Sequence, residues 1–507
     1  MNNSGWAALQ NGSDIRGVAT EGIAGEPVNL TTAIVEKLAV AFVVWLNERK
    51  ELPTDQMKIA IGRDSRISGP ELMKAFVNGV LSTGANSVSC DISSTPAMYM
   101  STIFDGTLCD GAVMLTASHL PYNRNGLKFF ISEGGLEKKD ITRILELAEL
   151  GIKKHAAKPG NETKFDLIST YSQYLVKTIR ESVCHPSHYD MPLMGFHIVV
   201  DAGNGSGGFF VDKVLKPLGA DTYGSQFLEP DGLFPNHIPN PENEAAMESI
   251  EKAVRDHKAD LGIIFDTDVD RSAAVDHTGT GINRNRLIAL ISTIILEEHP
   301  HSTIVTDSIT SDGLTNYIEV ELGGRHHRFQ RGYKNVINEA IRLNEQGEEC
   351  WLAIETSGHA ALKENFFLDD GAFLITKLLV KAAQLRQKGE SLQSLTEKLQ
   401  MPLESKEIRL KINVKDFKAY GNKIIADLTE YVKGVEGWNI VPKNYEGIRV
   451  SCDTKSGNGW FLLRLSLHDP VIPLNIESNQ AGGVQIITDK LAEFLKGYTD
   501  LDKSQMG

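Results

Sequence analysis

Short apolar runs rich in β-branched residues alternate with longer amphipathic stretches over the first three-quarters of the chain. This alternation predicts the strands and helices of α/β domains. The pattern starts afresh near residue 195 and again near residue 286. No exact sequence repeat occurs, but three α/β units are compatible with a diverged triplication. The predicted strands are 57–64, 86–93, 111–118, 195–201, 261–266, 302–307, 326–332 and 350–358, and the clearest predicted helices are 69–83, 286–298 and 371–399.

The pattern changes after Pro402. Alternating strands at 406–414, 447–453 and 460–467 are combined with two amphipathic helices, which predicts a smaller α+β domain with an antiparallel sheet. The expected architecture is therefore three similar mixed α/β domains plus a C-terminal α+β domain. We place the four domains at 1–186, 187–282, 283–402 and 403–507.

Composition and charge narrow the possible functions. Apolar residues make up 41% and charged residues 23% of the 507 residues, which is typical of a soluble globular protein. The formal net charge of −14 leaves no broad basic surface for nucleic acid. No stretch reaches the ~18–20 apolar residues that span a bilayer. A protein of this charge that binds anions must gather its Arg and Lys side chains locally, in a cleft.

The five cysteines are widely spaced, their number is odd, and they form no CxxC pair. This usage predicts a reducing compartment and argues against a disulfide framework or a zinc site. The first ten residues contain neither a basic patch nor an apolar segment typical of a signal peptide. We therefore expect a cytoplasmic protein without a membrane partner, either a monomer or a weak homodimer.

A serine lies in the loop TASHLP (116–121), at the end of a strand that is expected to bury Val113 and Leu115. Pro121 stiffens the exit of this loop. Phosphorylation of Ser118 would place about −1.5 to −2 charges there, and His119 could help to move a proton. For this fragment alone, an ST-turn with a surface histidine is the alternative.

Three carboxylates follow another apolar strand, in FDTDVDR (265–271). Asp266, Asp268 and Asp270 would repel one another strongly without a cation, and such a density of oxygen ligands suits Mg²⁺. An EF-hand is excluded, because its sixth and twelfth positions would be Arg271 and His277. The aspartyl-phosphate loop DxDx[TV] also fails, since its fifth position is Asp270. An unbound acidic turn remains the alternative.

Two further loops carry polar side chains at strand ends. In ETSGH (355–359), Glu355 and Ser357 point the same way along an extended chain and could bind neighbouring sugar hydroxyls. In RLSLHDP (464–470), Arg464 could grip a phosphate in bidentate fashion and Ser466 adds a donor. A polar turn and a solvated arginine are the alternatives. Basic residues that could join an anion site are Arg16, Arg63, Arg66, Lys128 and Arg271.

Taken in order, these motifs resemble the α-D-phosphohexomutase superfamily, which includes phosphoglucomutase, phosphomannomutase and phosphoglucosamine mutase. The resemblance covers nearly the whole chain. It rests on SDIRG (13–17), GRDSR (62–66), TASHLP, NGLKF (125–129), VDAGNGSG (200–207), DTDVDR, ETSGH and the final RxSxxxP. It implies four domains around a central cleft, each contributing one loop, and hexose phosphates and sugar bisphosphates as substrates.

The resemblance also implies residue roles. Ser118 would be the phosphoserine and would share one Mg²⁺ per chain with Asp266, Asp268 and Asp270. Catalytic side chains would be His119 and those that line the cleft: Arg16, Arg63, Lys128 and Arg271, with Lys128 or Arg63 moving protons. Substrate contacts would come from Glu355, Ser357, His359, Lys334, Arg464, Ser466 and His468. A phosphoryl group would pass from the serine to a sugar hydroxyl.

The chain departs from the family pattern at two loops. Leu120 stands where the family usually has Asn, and the phosphate loop RxSGTEP reads RLSLHDP, with Leu467, His468 and Asp469 replacing Gly, Thr and Glu. Each lost hydrogen bond to a charged group is worth roughly 1.5–3 kcal/mol, so release of a bisphosphate could be ~10- to 1,000-fold faster.

The faster release leads to a sharper hypothesis, a glucose 1,6-bisphosphate synthase that uses fructose 1,6-bisphosphate and glucose 1- or 6-phosphate. The phosphate loop also resembles that of a superfamily branch that makes this bisphosphate. A phosphoglucomutase or phosphomannomutase is the alternative. A sugar-phosphate sensor without catalysis would have no reason to keep the three aspartates. A phosphatase would need a group that activates water, and none is evident.

Overall fold

The computed structural model describes residues 5–152, 156–466 and 469–506. The chain divides into two compact units, Met1–Asn283 with Ser357–Ser394 and Arg284–Thr356 with Leu395–Gly507. No helix of the described residues is both long and apolar enough to span a bilayer. All five cysteines are free thiols.

The first sheet has eight strands in the order β1-β2-β6-β5-β3-β4-β8, with β7 paired to β6. Because β3 and β5 are parallel, their carboxyl ends meet at one edge, where Arg63 lies opposite Leu115. The loops that follow these two strands are therefore neighbours. The strands are β1 (Gln10–Asn11), β2 (Asp14–Val18), β3 (Lys58–Arg63), β4 (Asn86–Ile92), β5 (Gly111–Leu115), β6 (Arg124–Ile131), β7 (Gly134–Gly135) and β8 (Glu162–Lys164).

Helices cover this sheet with an apolar core. Phe42 of the first helix packs on Phe129 of the sheet with ring centroids 4.8 Å apart, and on Phe76 of the second helix at 6.5 Å. The first helix begins where the Thr31 side chain accepts the Ile34 N–H. The helices are α1 (Thr32–Lys50), α2 (Gly69–Ser82), α3 (Thr95–Met100), α4 (Lys138–Glu149) and α5 (Leu167–Val183).

The second sheet has four strands in the order β12-β11-β10-β9. Strands β10 and β11 form an antiparallel hairpin in which Phe265 pairs with Ser272, so the six residues 266–271 form its connecting loop. This hairpin presents the three aspartates together. The elements are β9 (Ile198–Asp201), a π-helical turn (Phe210–Leu215), α6 (Glu244–His257), β10 (Leu261–Phe265), β11 (Ser272–Asp276) and β12 (Gly281–Ile282).

The third segment continues the α/β pattern. Strand β13 pairs in parallel with β14 and β15, and β16 pairs antiparallel with β17. The predicted helix over 371–399 is too long: α10 ends at Gln387, since Gly389 adopts a left-handed φ of 74°. The elements are α7 (Arg284–Glu298), β13 (Thr303–Asp307), α8 (Asp312–Asn316), β14 (Arg325–Phe329), α9 (Tyr333–Glu345), β15 (Cys350–Ile354), β16 (Ala360–Leu362), β17 (Leu368–Asp369) and α10 (Gly371–Gln387).

The C-terminal segment forms a six-stranded sheet in the order β19-β20-β21-β22-β18-β23. Its strand pairs are antiparallel, as the alternating pattern predicts. Two helices pack their apolar faces against it, around Trp438 and Phe461. The elements are β18 (Glu404–Ile412), α11 (Phe417–Val432), β19 (Trp438–Ile440), β20 (Ile448–Cys452), β21 (Gly459–Leu463), β22 (Val471–Ser478), α12 (Gly483–Leu495) and β23 (Leu501–Asp502).

Candidate active site

Ser118 lies three residues beyond the end of β5 and is 4% exposed. Its backbone is left-handed, with φ of 50°, a conformation that costs a non-glycine residue about 1–3 kcal/mol. The Ser118 hydroxyl donates to Asp266 Oδ2 at 3.1 Å and accepts from Arg271 Nη2 at 2.8 Å. The serine loop of the first domain therefore meets the aspartate loop of the second.

Arg66 holds the serine loop in place. Its guanidinium is fully buried and donates to the carbonyl oxygens of Ser118 (2.5 Å), Leu120 (2.6 Å), Pro121 (2.6 Å) and Arg124 (2.9 Å). The Nε group also donates to buried Asp64 at 3.2 Å. Four carbonyl contacts from one rigid side chain fix the path of the strained loop.

His119 lies beside the serine, with Nδ1 3.4 Å from Ser118 Oγ. Arg271 Nη2 donates to the same ring nitrogen at 2.6 Å, so Nδ1 is an acceptor. Burial, together with the charges of Arg271 and Arg16, lowers the pKa of His119 to about 3. The imidazole is therefore neutral at pH 7. It lies within reach of the serine hydroxyl.

Arg16 lies on β2, and Arg63 is the last residue of β3. Arg16 donates to the Ala117 carbonyl at 3.1 Å and pairs with Asp14 at 3.0 Å, so it contacts the backbone of the serine loop. Arg63 pairs with Asp91 at 2.7 Å and donates to a backbone carbonyl of its own loop. Arg16 thus touches the serine loop directly, whereas Arg63 contacts the loop that follows β3 and the neighbouring strand β4.

The three aspartates of the hairpin loop are fully buried, and one oxygen of each lies within 4.8 Å of the others. Val269 between them is left-handed, with φ of 67°, which is rare for a β-branched residue and marks a constrained loop. Lys128 Nζ donates to Asp268 at 2.9 Å and also bonds Asp270. Thr95 Oγ1 donates to Asp268 at 2.5 Å.

The carboxylates of this cluster differ in their pKa values and in their hydrogen bonding. Burial and the Asp270 and Asp268 carboxylates raise the pKa of Asp266 well above its ordinary value. Burial by itself would also raise the pKa of Asp270. The charges of Lys128, His359 and Arg271 outweigh this effect, so the pKa of Asp270 is lowered. Within the described part of the chain, Asp268 Oδ1 and Asp270 Oδ1 are buried without a hydrogen-bond partner. Buried carboxylate oxygens that lack hydrogen bonds and come from one loop fit a hard divalent cation.

His359 lies beside the aspartate loop. It forms an isolated β-bridge with Arg271, and its Nδ1 lies 2.6 Å from Asp369 and 3.9 Å from Asp270. Although burial acts in the opposite direction, these two carboxylates raise the pKa of His359 to about 9. The side chain is therefore a cation at neutral pH. Ser357, two residues earlier, is buried.

The remaining predicted residues belong to the second compact unit. Glu355 accepts the Gly332 N–H at 2.6 Å, and Lys334 lies half-buried in the first turn of α9. Arg464 is buried and pairs with Glu446 at 3.5 Å. The Ser466 hydroxyl accepts the Asp469 N–H at 3.2 Å. His468 and Leu467 lie outside the described residues.

A pocket of about 340 Å³ opens beside Ser466, in the size range of small-molecule sites. Its wall combines the apolar residues Ile425 and Leu465 with polar residues, which include Gln330, Arg331, Asn335, Lys418, Asn422, Tyr445 and Glu446.

Sequence reasoning missed three residues of these sites. Thr95 binds Asp268 from 173 positions away, and no spacing could reveal this contact. Asp369 follows an apolar run as part of the acidic pair 369–370, a signal that could have been noted. Glu446 stands just before β20 and has no motif of its own.

Comparison with known proteins gives consistent matches. Models of the phosphoglucomutase/phosphomannomutase α/β/α domains I, II and III match residues 8–152, 171–279 and 283–401. A phosphomannomutase/phosphoglucomutase of Pseudomonas putida is 28% identical over 488 residues, 95% of this chain and 95% of that protein. A phosphoglucomutase of Neisseria gonorrhoeae is 28% identical over 446 residues, 88% of this chain and 90% of that protein.

Solved structures agree with this fold. A phosphoglucomutase/phosphomannomutase family protein from Burkholderia thailandensis superposes with a TM-score of 0.78 at 25% identity, over 97% of this chain and 98% of that chain. The open form of the Paramecium phosphoglucomutase parafusin gives a TM-score of 0.68 at 15% identity, over 91% and 90% of the two chains, which supports the fold alone.

Proposed function

Because this chain belongs to the phosphoglucomutase/phosphomannomutase family of the α-D-phosphohexomutase superfamily, we propose that it transfers phosphoryl groups between hexose phosphates through Ser118. It is a phosphotransferase of this superfamily.

One observation carries the choice of Ser118. Its hydroxyl lies 3.1 Å from Asp266 and 2.8 Å from Arg271. Asp266 forms a trio with Asp268 and Asp270, in which one oxygen of each lies within 4.8 Å of the others. A nucleophile held between a cation site and an arginine suits attack on phosphorus, because negative charge collects on the phosphoryl oxygens.

The proposed reaction has two balanced halves. Ser118 Oγ forms a bond to the donor's phosphorus while the bond from phosphorus to the donor oxygen breaks, and the hydroxyl proton passes to that oxygen. A hydroxyl of the acceptor sugar then reverses these events, and its proton returns to Ser118 Oγ. Arg271 supplies positive charge at Oγ, and Arg66 keeps the loop in its strained path.

The aspartate loop fits a magnesium ion. Asp266, Asp268 and Asp270, with an oxygen on Ser118, would hold it, and the two buried aspartate oxygens that accept no hydrogen bond would be suitable ligand atoms. When bound there, Mg²⁺ neutralises charge on the transferred group. Lys128 keeps Asp268 and Asp270 together on one side of the cluster.

The test compares the wild-type enzyme with Ser118→Ala, using glucose 1,6-bisphosphate as donor and Mg²⁺ or EDTA in the buffer. Intact-mass spectrometry should detect one added phosphoryl group on the wild-type chain with Mg²⁺, and none on the variant. Ser169, which lies half-buried in the first turn of α5, gives the control variant Ser169→Ala, which should be phosphorylated normally. Phosphate on the Ser118→Ala chain would refute the assignment.

We further propose that the enzyme releases glucose 1,6-bisphosphate, made from fructose 1,6-bisphosphate and glucose 1- or 6-phosphate. The support is the sequence RLSLHDP, which lacks the glycine and the threonine donor of the usual phosphate loop. The Arg464–Glu446 ion pair adds to it, because an arginine shared with a carboxylate binds phosphate less tightly.

The alternative is a mutase that interconverts hexose 1- and 6-phosphates. It is favoured by the names of the relatives, which are phosphoglucomutases and phosphomannomutases. Incubation with glucose 6-phosphate and fructose 1,6-bisphosphate separates the two functions. A synthase accumulates free glucose 1,6-bisphosphate, whereas rapid interconversion of glucose 1- and 6-phosphates without accumulation identifies a mutase.

A further inference from the structure

The pocket beside Ser466 is lined by two basic residues and a carboxylate. The basic residues are Arg331 and Lys418, and the amide residues Gln330, Asn335 and Asn422 lie in the same wall. Glu446 stands among these donors. Of the two members of the Arg464–Glu446 ion pair, only Glu446 lines the pocket; Arg464 is not among the described lining residues.

Glu446 is held firmly in this position. Its carboxylate accepts the Ser308 hydroxyl at 2.5 Å and the Arg331 N–H at 3.2 Å, and it lies 3.5 Å from Arg464 Nη1. Its side chain is only 14% exposed. Such a residue differs from a surface glutamate, because hydrogen bonds and an ion pair fix its charge beside the pocket.

The backbone around Glu446 is fixed as well. Gly447 has φ of 57°, and a Cβ there would lie 2.1 Å from the Leu463 carbonyl oxygen. Arg449 is buried over the Trp460 ring at 3.5 Å and donates to the Ser308 carbonyl at 2.9 Å. The segment is therefore locked against the loop that follows β13, and Glu446 has little freedom to move away.

We propose that Glu446 determines how tightly the pocket holds a phosphoryl group, because its carboxylate places a fixed negative charge in the pocket wall. A phosphate dianion entering this pocket meets the fixed negative charge of Glu446. Attraction from Arg331 and Lys418 in the same wall is then partly cancelled, and the bound bisphosphate leaves sooner. This inference rests on the proposed hexose-phosphate transfer and assigns the weak grip to a residue outside the phosphate loop.

The test is the isosteric variant Glu446→Gln, which keeps a hydrogen-bond acceptor and removes the charge. Calorimetric titration with glucose 1,6-bisphosphate, in a Ser118→Ala background that prevents turnover, should give a dissociation constant at least about fivefold lower than with Glu446 present. The control is Glu436→Gln at an exposed glutamate that is not among the lining residues of the pocket, and it should leave the constant unchanged. Glu446→Ala, which also removes the charge, provides a second measurement if the glutamine variant does not fold.

In the active enzyme, Glu446→Gln should lower the amount of free bisphosphate released per turnover and raise the yield of interconverted monophosphates. Unchanged or weaker binding in a folded Glu446→Gln or Glu446→Ala chain would overturn the inference. Failure of the proposed function looks different: the wild-type enzyme itself would then transfer no phosphoryl group through Ser118.

Discussion

Replacing Arg66 by lysine tests how the strained serine loop is maintained. Arg66 donates to four carbonyl oxygens of the loop and to Asp64. A lysine ammonium has three donors at one point, so at least two of these contacts are lost. At roughly 1.5–3 kcal/mol for each hydrogen bond to a charged group, the loss is about 3–6 kcal/mol.

This loss exceeds the strain that it opposes. A left-handed serine costs about 1–3 kcal/mol, so without Arg66 the loop around Ser118 is expected to relax toward an ordinary conformation. The hydroxyl then moves away from Asp266 and Arg271. A displacement of about 1 Å at a reacting atom costs on the order of 100-fold in rate. We therefore expect Arg66→Lys to slow phosphorylation of Ser118 about 100-fold while the fold persists.

The assay is single-turnover phosphorylation by glucose 1,6-bisphosphate in a quench-flow instrument, read by intact mass, with melting temperature measured in parallel. Arg143→Lys is the control, because Arg143 pairs with Glu48 on the exposed surface of the same domain. It should phosphorylate at the wild-type rate. A folded Arg66→Lys enzyme that keeps a rate within about threefold of wild type would refute the reasoning.

Three further predictions concern the metal site and the C-terminal sheet. Mg²⁺ at about 100 times its dissociation constant should stabilise the fold by about 2.7 kcal/mol and raise the melting temperature by several degrees; an equal melting temperature in EDTA would contradict this. Thr95→Val should weaken Mg²⁺ binding about tenfold in a titration, since Asp268 loses its 2.5 Å hydrogen bond; unchanged affinity would show that this bond does not position the ligand. Burial raises the pKa of Glu477 from 4.5 to about 7, so its ionisation favours the unfolded chain and stability falls as pH rises between these values. Glu477→Gln, which keeps an acceptor for the Trp460 indole, should raise the melting temperature at pH 8 but not at pH 4; an equal change at both pH values would contradict this.

Local chemistry made much of the fold predictable. The ends of β3, β5 and β10 follow from apolar runs that stop at polar or small residues, and the antiparallel C-terminal sheet follows from strict alternation. The extent of α10 was wrong, because the amphipathic pattern continues past Gly389 while the backbone turns there. The left-handed backbone of Gly389 ends the helix, although the apolar periodicity of the sequence continues beyond it.

The candidate site was predictable only where a motif lies on one loop. Asp266, Asp268 and Asp270 share a hairpin loop, so their meeting follows from spacing alone. The contacts of Thr95 with Asp268 and of Arg66 with the serine loop depend on how distant segments pack. The sequence marks Arg66 as a basic residue near the site, but four carbonyl partners cannot be read from its neighbours. The domain limits and the roles of all the predicted site residues stay predictions.

The most direct measurement follows labelled phosphate on Ser118. The enzyme is loaded with a radiolabelled donor, freed of small molecules, and chased with unlabelled glucose 6-phosphate and Mg²⁺. Transfer through the serine predicts that the label leaves the protein and appears in glucose 1,6-bisphosphate. Label that stays on the chain, or that appears only as inorganic phosphate, would contradict it.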